Sequence, residues 1–348
     1  MLKFQHVVED LQNKIISEEY LYDEKLPTEN ELTDEYGISR QTLRKALSSL
    51  QADNYIRSVQ GSGYYVTYKT PPKPKTMRIA IITTYISEYI FPFILRDAEK
   101  VAANNGFSIQ IYATNNSIKT ERQILQNIAS EYIDGILVEG TKIALPNPNV
   151  LYYQQLALSG VPIVFFNGYY RDLLDQNIPN IVYVVTDDYA GGVQAIKTLI
   201  NMGHVDIAGI FKSDDIQGTL RFSGFADAML SGGADYKDEK VAWFTTETKN
   251  TFLNSTENNM SFLDGCSAVV CYNDEITAEL LRNLDTKKRS EIDIVSFDNN
   301  IDFRSYTDTN IISLGYPKYT VGKTAMLKLI NMIYGQHETS CLLNWESI

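Results

Sequence analysis

Residues 27–47 read PTENELTDEYGISRQTLRKAL, and this one stretch holds a helix start, a break and a second helix start. Thr28 followed by Glu31 is a capping box, in which hydroxyl and carboxylate each satisfy a backbone N–H that the first helical turn leaves free. A helix therefore begins near Glu29. Gly37 supplies the left-handed residue that closes it, and Ser39 caps a further helix only two residues later. Projected at about 100° per residue from Arg40, Leu43, Ala46, Leu47 and Leu50 share one arc, while Gln41, Arg44, Lys45 and Ser48 share the opposite one. One face packs; the other presents guanidinium, amide and ammonium groups. Arginine matches N7 and O6 of guanine, and glutamine can pair with adenine.

On the N-terminal side, VVEDLQNKII places Val7, Val8, Leu11, Ile15 and Ile16 at helical spacing. On the C-terminal side, NYIRSVQGSGYYVTY gives two short β-rich runs joined by QGSG, a hairpin with a narrow glycine-rich tip. Helix-turn-helix plus hairpin is a winged helix. Charge changes sign at the same place. Residues 1–35 carry Lys3, Lys14 and Lys25 against ten carboxylates, whereas 36–75 carry seven Lys and Arg against Asp53 alone. The whole chain has a formal charge of −12, so a nucleic acid would be repelled everywhere except at this basic patch.

A basic helix face by itself is more often merely solvated. Here LPTENEL, YGISRQTLRKAL, LQADNYI and QGSGYYV stand in order, and together residues 1–68 resemble the winged-helix domain of the GntR family. The resemblance implies that Glu29, Arg40, Gln41, Thr42 and Arg44 lie near base edges or phosphates, beside Lys45 of the same exposed face. It implies a wing tip of Gln60, Gly61, Ser62 and Gly63. Reading two half-sites of a palindromic, double-stranded operator would require a homodimer.

YKTPPKPKTMR (68–78) is proline-rich without apolar period, and 69–76 is expected to be a semi-rigid linker. From Met77 to 348 nine short β-rich runs, from MRIAIIT to IISLGYP, are mostly separated by amphipathic helical patterns. That is α/β grammar, parallel sheets covered on both faces. Nine strands would make one unusually wide sheet, so two lobes with crossovers are expected. Ligands bind outside the carboxyl ends of such strands. The residues found there are Tyr85, Tyr89 and Phe91, Glu139, Asn167, Lys212, Asn273, Asp298 and Tyr316. Carboxylates, amides and aromatic faces suit a neutral polyol. About half of such Asp and Asn residues taken singly would be helix caps, as Asp187 or Asp188 before YAGGVQAIKTL is expected to be. Arg221 opens a helix, where the dipole disfavours a cation, so a ligand oxygen or a cleft carboxylate must hold it.

Residues 77–340, through VPIVFFN, VVTDDYAGGVQAIKTLINMGH, QGTLRFSGFADAM and AVVCYNDEITAELL, resemble the effector domain of LacI/GalR repressors, a type I periplasmic-binding-protein fold. A GntR-like head on a LacI-like body resembles the arabinose-responsive repressors of Gram-positive bacteria. The resemblance implies an L-arabinose effector, a homodimer, and sugar-binding positions at Tyr89, Phe91, Glu139, Asn167, Arg221, Asn273, Asp298 and Tyr316. The chain ends at CLLNWESI, where the family usually continues through a last strand, so that edge is expected to be cut or weak. Another pentose or a phosphosugar stays open as effector.

Other classes fit poorly. Three cysteines and three histidines form no metal-ligand spacing, so no metal is assigned. No cofactor is expected: no glycine-rich phosphate cradle and no nucleophile motif is present, which weighs against an enzyme fused to the head, such as a pyridoxal-phosphate aminotransferase. No apolar run is long enough for a signal peptide or a membrane span, so the expectation is a cytoplasmic protein without a membrane partner.

Overall fold

Thr28 and Ser39 both act as the caps that their positions require. The Thr28 side chain accepts from Glu31 N while Glu31 accepts from Thr28 N, and Ser39 accepts from Thr42 N. Between them Gly37 takes φ 59°. The head thus comprises α1 (Lys3–Ile16), α2 (Glu29–Tyr36), α3 (Arg40–Ala52), β1 (Ile56–Val59) and β2 (Gly63–Val66). Leu43, Ala46, Leu47 and Leu50 of α3 are buried against Val7, Leu11 and Ile15 of α1 and Leu32 of α2. Ile16, the end of the expected stripe, is exposed. β1 and β2 pair antiparallel from Ile56↔Val66 to Val59↔Gly63, leaving Gln60, Gly61 and Ser62 as the tip. Gly61 (φ 75°) and Gly63 (φ 129°) take conformations that residues with a Cβ avoid.

The computed structural model describes residues 3–68, 75–175, 178–253 and 260–346. The chain divides into two units at Pro74 and Lys75. Residues 69–74 of the expected linker lie outside the described residues. Lys75 and Thr76 belong to the second unit: Lys75 Nζ donates to the Ile333 carbonyl (2.8 Å) and Thr76 N to Asp134 Oδ1 (3.0 Å).

The second unit has two lobes. The first contains β3 (Arg78–Thr83), α4 (Phe91–Asn104), β4 (Ser108–Ala113), α5 (Ile118–Ser130), β5 (Gly135–Val138), α6 (Val150–Leu158), β6 (Ile163–Phe166), α7 (Arg171–Asp175) and β7 (Ile181–Thr186). The second contains α8 (Asp188–Asn201), β8 (Ile207–Lys212), α9 (Ile216–Gly232), β9 (Val241–Phe244), β10 (Ala268–Cys271), α10 (Asp274–Asn283), α11 (Thr286–Ser290), β11 (Asp293–Asp298) and β12 (Ile311–Gly315). The chain then returns as α12 (Lys318–Ile333) and β13 (Cys341–Leu343) to the first lobe. The sheets run β13-β7-β6-β5-β3-β4 and β12-β11-β10-β8-β9, with every pairing in them parallel. Their central strands are buried on both faces, as such sheets require.

Two details depart from the sequence reading. Val241–Phe244 is an edge strand that the run pattern did not mark. At the edge expected to be cut or weak, Cys341–Leu343 forms a three-residue strand paired with β7 from Cys341↔Val184 to Leu343↔Thr186. Among the described residues the chain crosses between lobes three times, after β7, after β12 and after β13, where Glu346 pairs with Gly315 of the second lobe.

Candidate functional site

The carboxyl ends of both sheets face one cavity of about 350 Å³, within the usual size range for a small-molecule site. Tyr85, Tyr89, Phe91, Glu139, Asn167, Lys212, Arg221, Asn273 and Asp298 all line it. Tyr316, the tenth expected position, does not. It is buried behind the wall, its hydroxyl donating to Asn167 Oδ1 (3.2 Å) and its ring 5.8 Å from that of Trp345. At the edge strand β12, next to a crossover, the side chain turns into the hinge.

Glu139 follows β5 and is buried. Thr84 N donates to its Oε2 (2.9 Å) and Asn167 Nδ2 to its Oε1 (2.5 Å). Burial raises its pKa, against the pull of Thr84, Asn167 and Lys212. Across the cavity Tyr89 donates from its hydroxyl to Asp298 Oδ2 (2.7 Å). Asp298 is only 4% exposed, and burial lifts its pKa to about 7 despite Arg221 and Tyr89. Its other oxygen, Oδ1, is buried without a hydrogen-bond partner. Arg221 Nη2 stands 4.0 Å from it, beyond hydrogen-bond reach.

Arg221 lies in the second turn of α9, and a carboxylate holds it. Its Nε donates to Asp188 Oδ1 (2.9 Å) and Nη1 to the Tyr272 carbonyl (2.6 Å). Burial pushes the Asp188 carboxyl up to about 6, with the Arg221 guanidinium beside it opposing. Asp187, not Asp188, caps α8, accepting from Ala190 N. Asn273 has both roles weighed for it: it caps α10 and lines the cavity. Lys212 is held by Asp215 (3.0 Å) and Asp214 (3.7 Å). Burial opposes its charge, but these carboxylates prevail and lift its pKa to about 12.

Sequence reasoning missed Asn116, Lys142, Asp215, Gln217, Thr246 and Tyr272, among others, in the wall. Gln217 had a signal, since it lies one turn before Arg221 on α9 and so shares its face. Asn116, Lys142 and Thr246 sit in loops with no period to read. The backbone carries a further mark. Tyr89 (φ 53°), Lys142 (φ 48°), Asn167 (φ 61°) and Asp298 (φ 95°) all occupy the left-handed region. Such residues cost on the order of 1–3 kcal/mol each, and they concentrate at functional sites.

In the head, Arg40, Gln41, Arg44 and Lys45 are exposed on α3. Arg40 Nη2 donates to Asn30 Oδ1 (2.8 Å) and Arg44 Nε pairs with Glu29 Oε2 (3.0 Å), so α2 orients both guanidinium groups. Lys45 Nζ sits 4.2 Å from the Phe4 ring centroid. Thr42 is tied to the Ser39 cap, and the wing tip keeps Gln60 and Gly61 exposed.

Among the described residues no group of His, Cys, Asp and Glu could hold a metal, and no helix is long and apolar enough to cross a membrane. Residues 3–66 match the family described as bacterial regulatory proteins, gntR family, and 196–342 match the periplasmic binding protein-like domain. An arabinose metabolism transcriptional repressor of Halalkalibacterium halodurans is 34% identical over 95% of this chain and 89% of its own length. One from Geobacillus stearothermophilus is 35% identical over 95% and 91%. The crystal structure of a putative ribose operon repressor from Burkholderia thailandensis shares the body's fold, with TM-score 0.65, 21% identity, and coverage of 79% of this chain and 99% of that one. These relatives are regulators, not enzymes. The chain belongs to the family of the arabinose metabolism transcriptional repressors, in which a GntR-type head is joined to a LacI-like, periplasmic-binding-type body.

Proposed function

We propose that this repressor acts in the cytoplasm as a homodimer on a palindromic operator, and that L-arabinose in the interlobe cavity releases it. The observation that carries the effector is the 4.0 Å gap between Arg221 Nη2 and the unpartnered Asp298 Oδ1. Oδ1 is closed to solvent in this structure, so a turn of the Asp298 carboxylate toward the cavity is needed for a sugar hydroxyl to accept from the guanidinium and donate to the carboxylate, using both capacities of the group. Glu139 and Asn167 offer a second polar pair on the opposite lobe. Tyr85 and Phe91, packed edge to face at 5.9 Å, offer apolar surface to the C–H side of a ring.

Charge favours a neutral ligand over a phosphosugar. The cations lining the cavity are Lys142, Lys212, Arg221 and Lys249. Each is already paired, with Glu247, Asp215, Asp188 and Glu275 respectively. A phosphate would have to displace carboxylates, whereas phosphate sites usually converge free cations.

Release follows from coupling. Sugar that bridges the lobes stabilises one relative placement of them, and in a dimer that placement sets whether two α3 helices match two half-sites. Such couplings amount to about 1–3 kcal/mol and are reciprocal, so operator DNA weakens sugar binding by the same factor. Calorimetric titration of L-arabinose into the full chain, with and without operator duplex, tests this. Equal affinities in the two titrations would remove the coupling, and a titration without saturable heat would remove the effector.

A further inference from the structure

Trp345 belongs to the segment CLLNWESI, which the sugar site described above does not use. It sits on the third crossing between lobes. β13 joins the first lobe's sheet beside β7, and Glu346 exchanges two backbone hydrogen bonds with Gly315 of the second lobe (2.9 and 3.0 Å). Clamped between these pairings, the indole is carried inward until only 7% of it is exposed.

There it meets Arg221. The guanidinium carbon is 4.7 Å from the Trp345 ring centroid, 4.6 Å from that of Phe297 and 4.9 Å from that of Tyr272. Trp345 and Phe297 also pack on each other at 5.0 Å, nearly perpendicular. A guanidinium buried to 4% exposure has lost its water and needs compensation on its edges and on its faces. Asp188 and the Tyr272 carbonyl take edge donors; aromatic rings cover the faces, the arrangement in which cation–π attraction is strongest. The backbone makes room for this. A Cβ on Gly191, in the first turn of α8 just after Asp188, would lie 2.7 Å from Trp345 Nε1.

We propose that Trp345 is a positioning residue for the effector: it fixes the Arg221 guanidinium so that Nη2 faces the Asp298 gap, which makes the final interlobe crossing part of the sugar site. The proposal rests on the reading that the cavity binds L-arabinose. Trp345 does not line the cavity. It acts through Arg221, and a smaller apolar side chain leaves the guanidinium free to turn onto Asp188 alone.

The test uses the full chain. Trp345→Leu weakens L-arabinose binding by calorimetry about tenfold or more, Trp345→Phe by about threefold, and neither changes operator affinity measured without sugar. A merely structural Trp345 would lower the unfolding midpoint but keep the sugar affinity of Trp345→Leu within about twofold of the parent. That result overturns the proposal. A double-mutant cycle of Trp345→Phe with Arg221→Lys in urea unfolding needs no sugar; coupling of at least about fivefold in the unfolding constant supports the contact, and less than about twofold overturns it. If the parent chain shows no heat with L-arabinose, the effector reading fails and the proposal with it, while the cycle still reports whether Trp345 holds Arg221. The chain has two tryptophans, so Trp243→Phe leaves Trp345 as sole emitter. Its emission is expected to shift saturably with the calorimetric midpoint, and an unresponsive emission counts against the proposal.

Discussion

Asn116 Nδ2 of the first lobe donates to Thr246 Oγ1 of the second across the mouth of the cleft, at 2.6 Å. The same amide accepts from Lys142 N through its oxygen (2.9 Å), and Lys142 Nζ pairs with Glu247 alongside. These contacts close the side of the cavity remote from the crossings. The two halves of the latch differ in weight. Glu247 is 61% exposed, and an exposed ion pair contributes about 0–1 kcal/mol. Asn116 is 6% exposed and its two side-chain bonds are part-buried, and leaving such partners unsatisfied costs about 1–3 kcal/mol. Asn116→Ala is therefore expected to weaken L-arabinose binding by about tenfold, and Glu247→Gln by threefold or less, by calorimetry. The reverse ranking would show that the latch does not hold the closed form.

Sugar affinity is expected to depend on pH through Asp298. Burial raises its pKa to about 7, with Arg221 and Tyr89 pulling down and Asp274 and Asp188 pushing up. A hydroxyl donating to Oδ1 binds the ionised carboxylate more strongly than the neutral acid. Sugar therefore lowers this pKa, and binding near neutrality releases a proton. Affinity should be flat above about pH 8 and fall by up to about tenfold per unit below about pH 7. Calorimetry in buffers of different ionisation enthalpy measures the proton directly. Asp298→Asn should bind weakly at every pH and lose the part of the slope centred near pH 7, leaving any fall nearer pH 6 to Asp188, which holds Arg221; a parent chain with flat affinity from pH 5.5 to 8 would exclude the Asp298 contact.

What was legible in the sequence follows the range of the interactions. The head was readable because its signals are local: Thr28 with Glu31, Gly37 and Ser39 fix three helix ends within a dozen residues. The cavity was readable where a strand end delivers a residue, as at Glu139, Asn167 and Asp298, since topology alone puts such ends together. The same rule failed at Tyr316, because β12 leads directly into a crossover between the lobes, so its end lies at the hinge rather than in the cleft. It missed Asn116 and Thr246, whose meeting depends on how the lobes close. It also missed the role of Trp345, which depends on a chain crossing that no periodicity announces. Val241–Phe244 escaped although VAWF is apolar throughout: it is only four residues long, and as an edge strand it is half-buried with Trp243 exposed.

Arg44 and Glu29 make the head testable separately. Glu29 holds Arg44 Nε at 3.0 Å and does not engage its terminal nitrogens. A bidentate arginine–guanine contact discriminates by about 1–3 kcal/mol, so Arg44→Ala should weaken operator binding by roughly tenfold to a hundredfold while affecting random duplex far less. Glu29→Gln removes the hold and one carboxylate near phosphates. Its expected result is tighter binding to random duplex with no gain on operator, a lower ratio between the two. Fluorescence anisotropy at two salt concentrations reads both. An equal loss on operator and random DNA for Arg44→Ala, with the salt slope reduced by about one, would assign Arg44 to phosphate instead.

Two glycines let α8 and α9 touch, and with them Asp188 and Arg221. A Cβ at Gly192 would lie 2.1 Å from the Arg221 carbonyl oxygen, and one at Gly224 would lie 2.0 Å from that of Tyr189. Both obstacles are backbone, so the helices must separate, at a cost of about 1–3 kcal/mol. For Gly192→Ala the displaced segment carries Arg221 itself. Thermal melts should therefore show a lower midpoint for both variants, and calorimetry a weakened L-arabinose affinity, larger for Gly192→Ala. Gly203→Ala is the comparison: nothing lies within 4 Å of its Cβ, but its φ of 96° strains a side chain, so it should lose about 1 kcal/mol of stability and keep its sugar affinity. If Gly192→Ala melted lower yet bound sugar like the parent, the packing of α8 on α9 would support the fold without setting Arg221, and the site would have to be held from the Asp298 side alone.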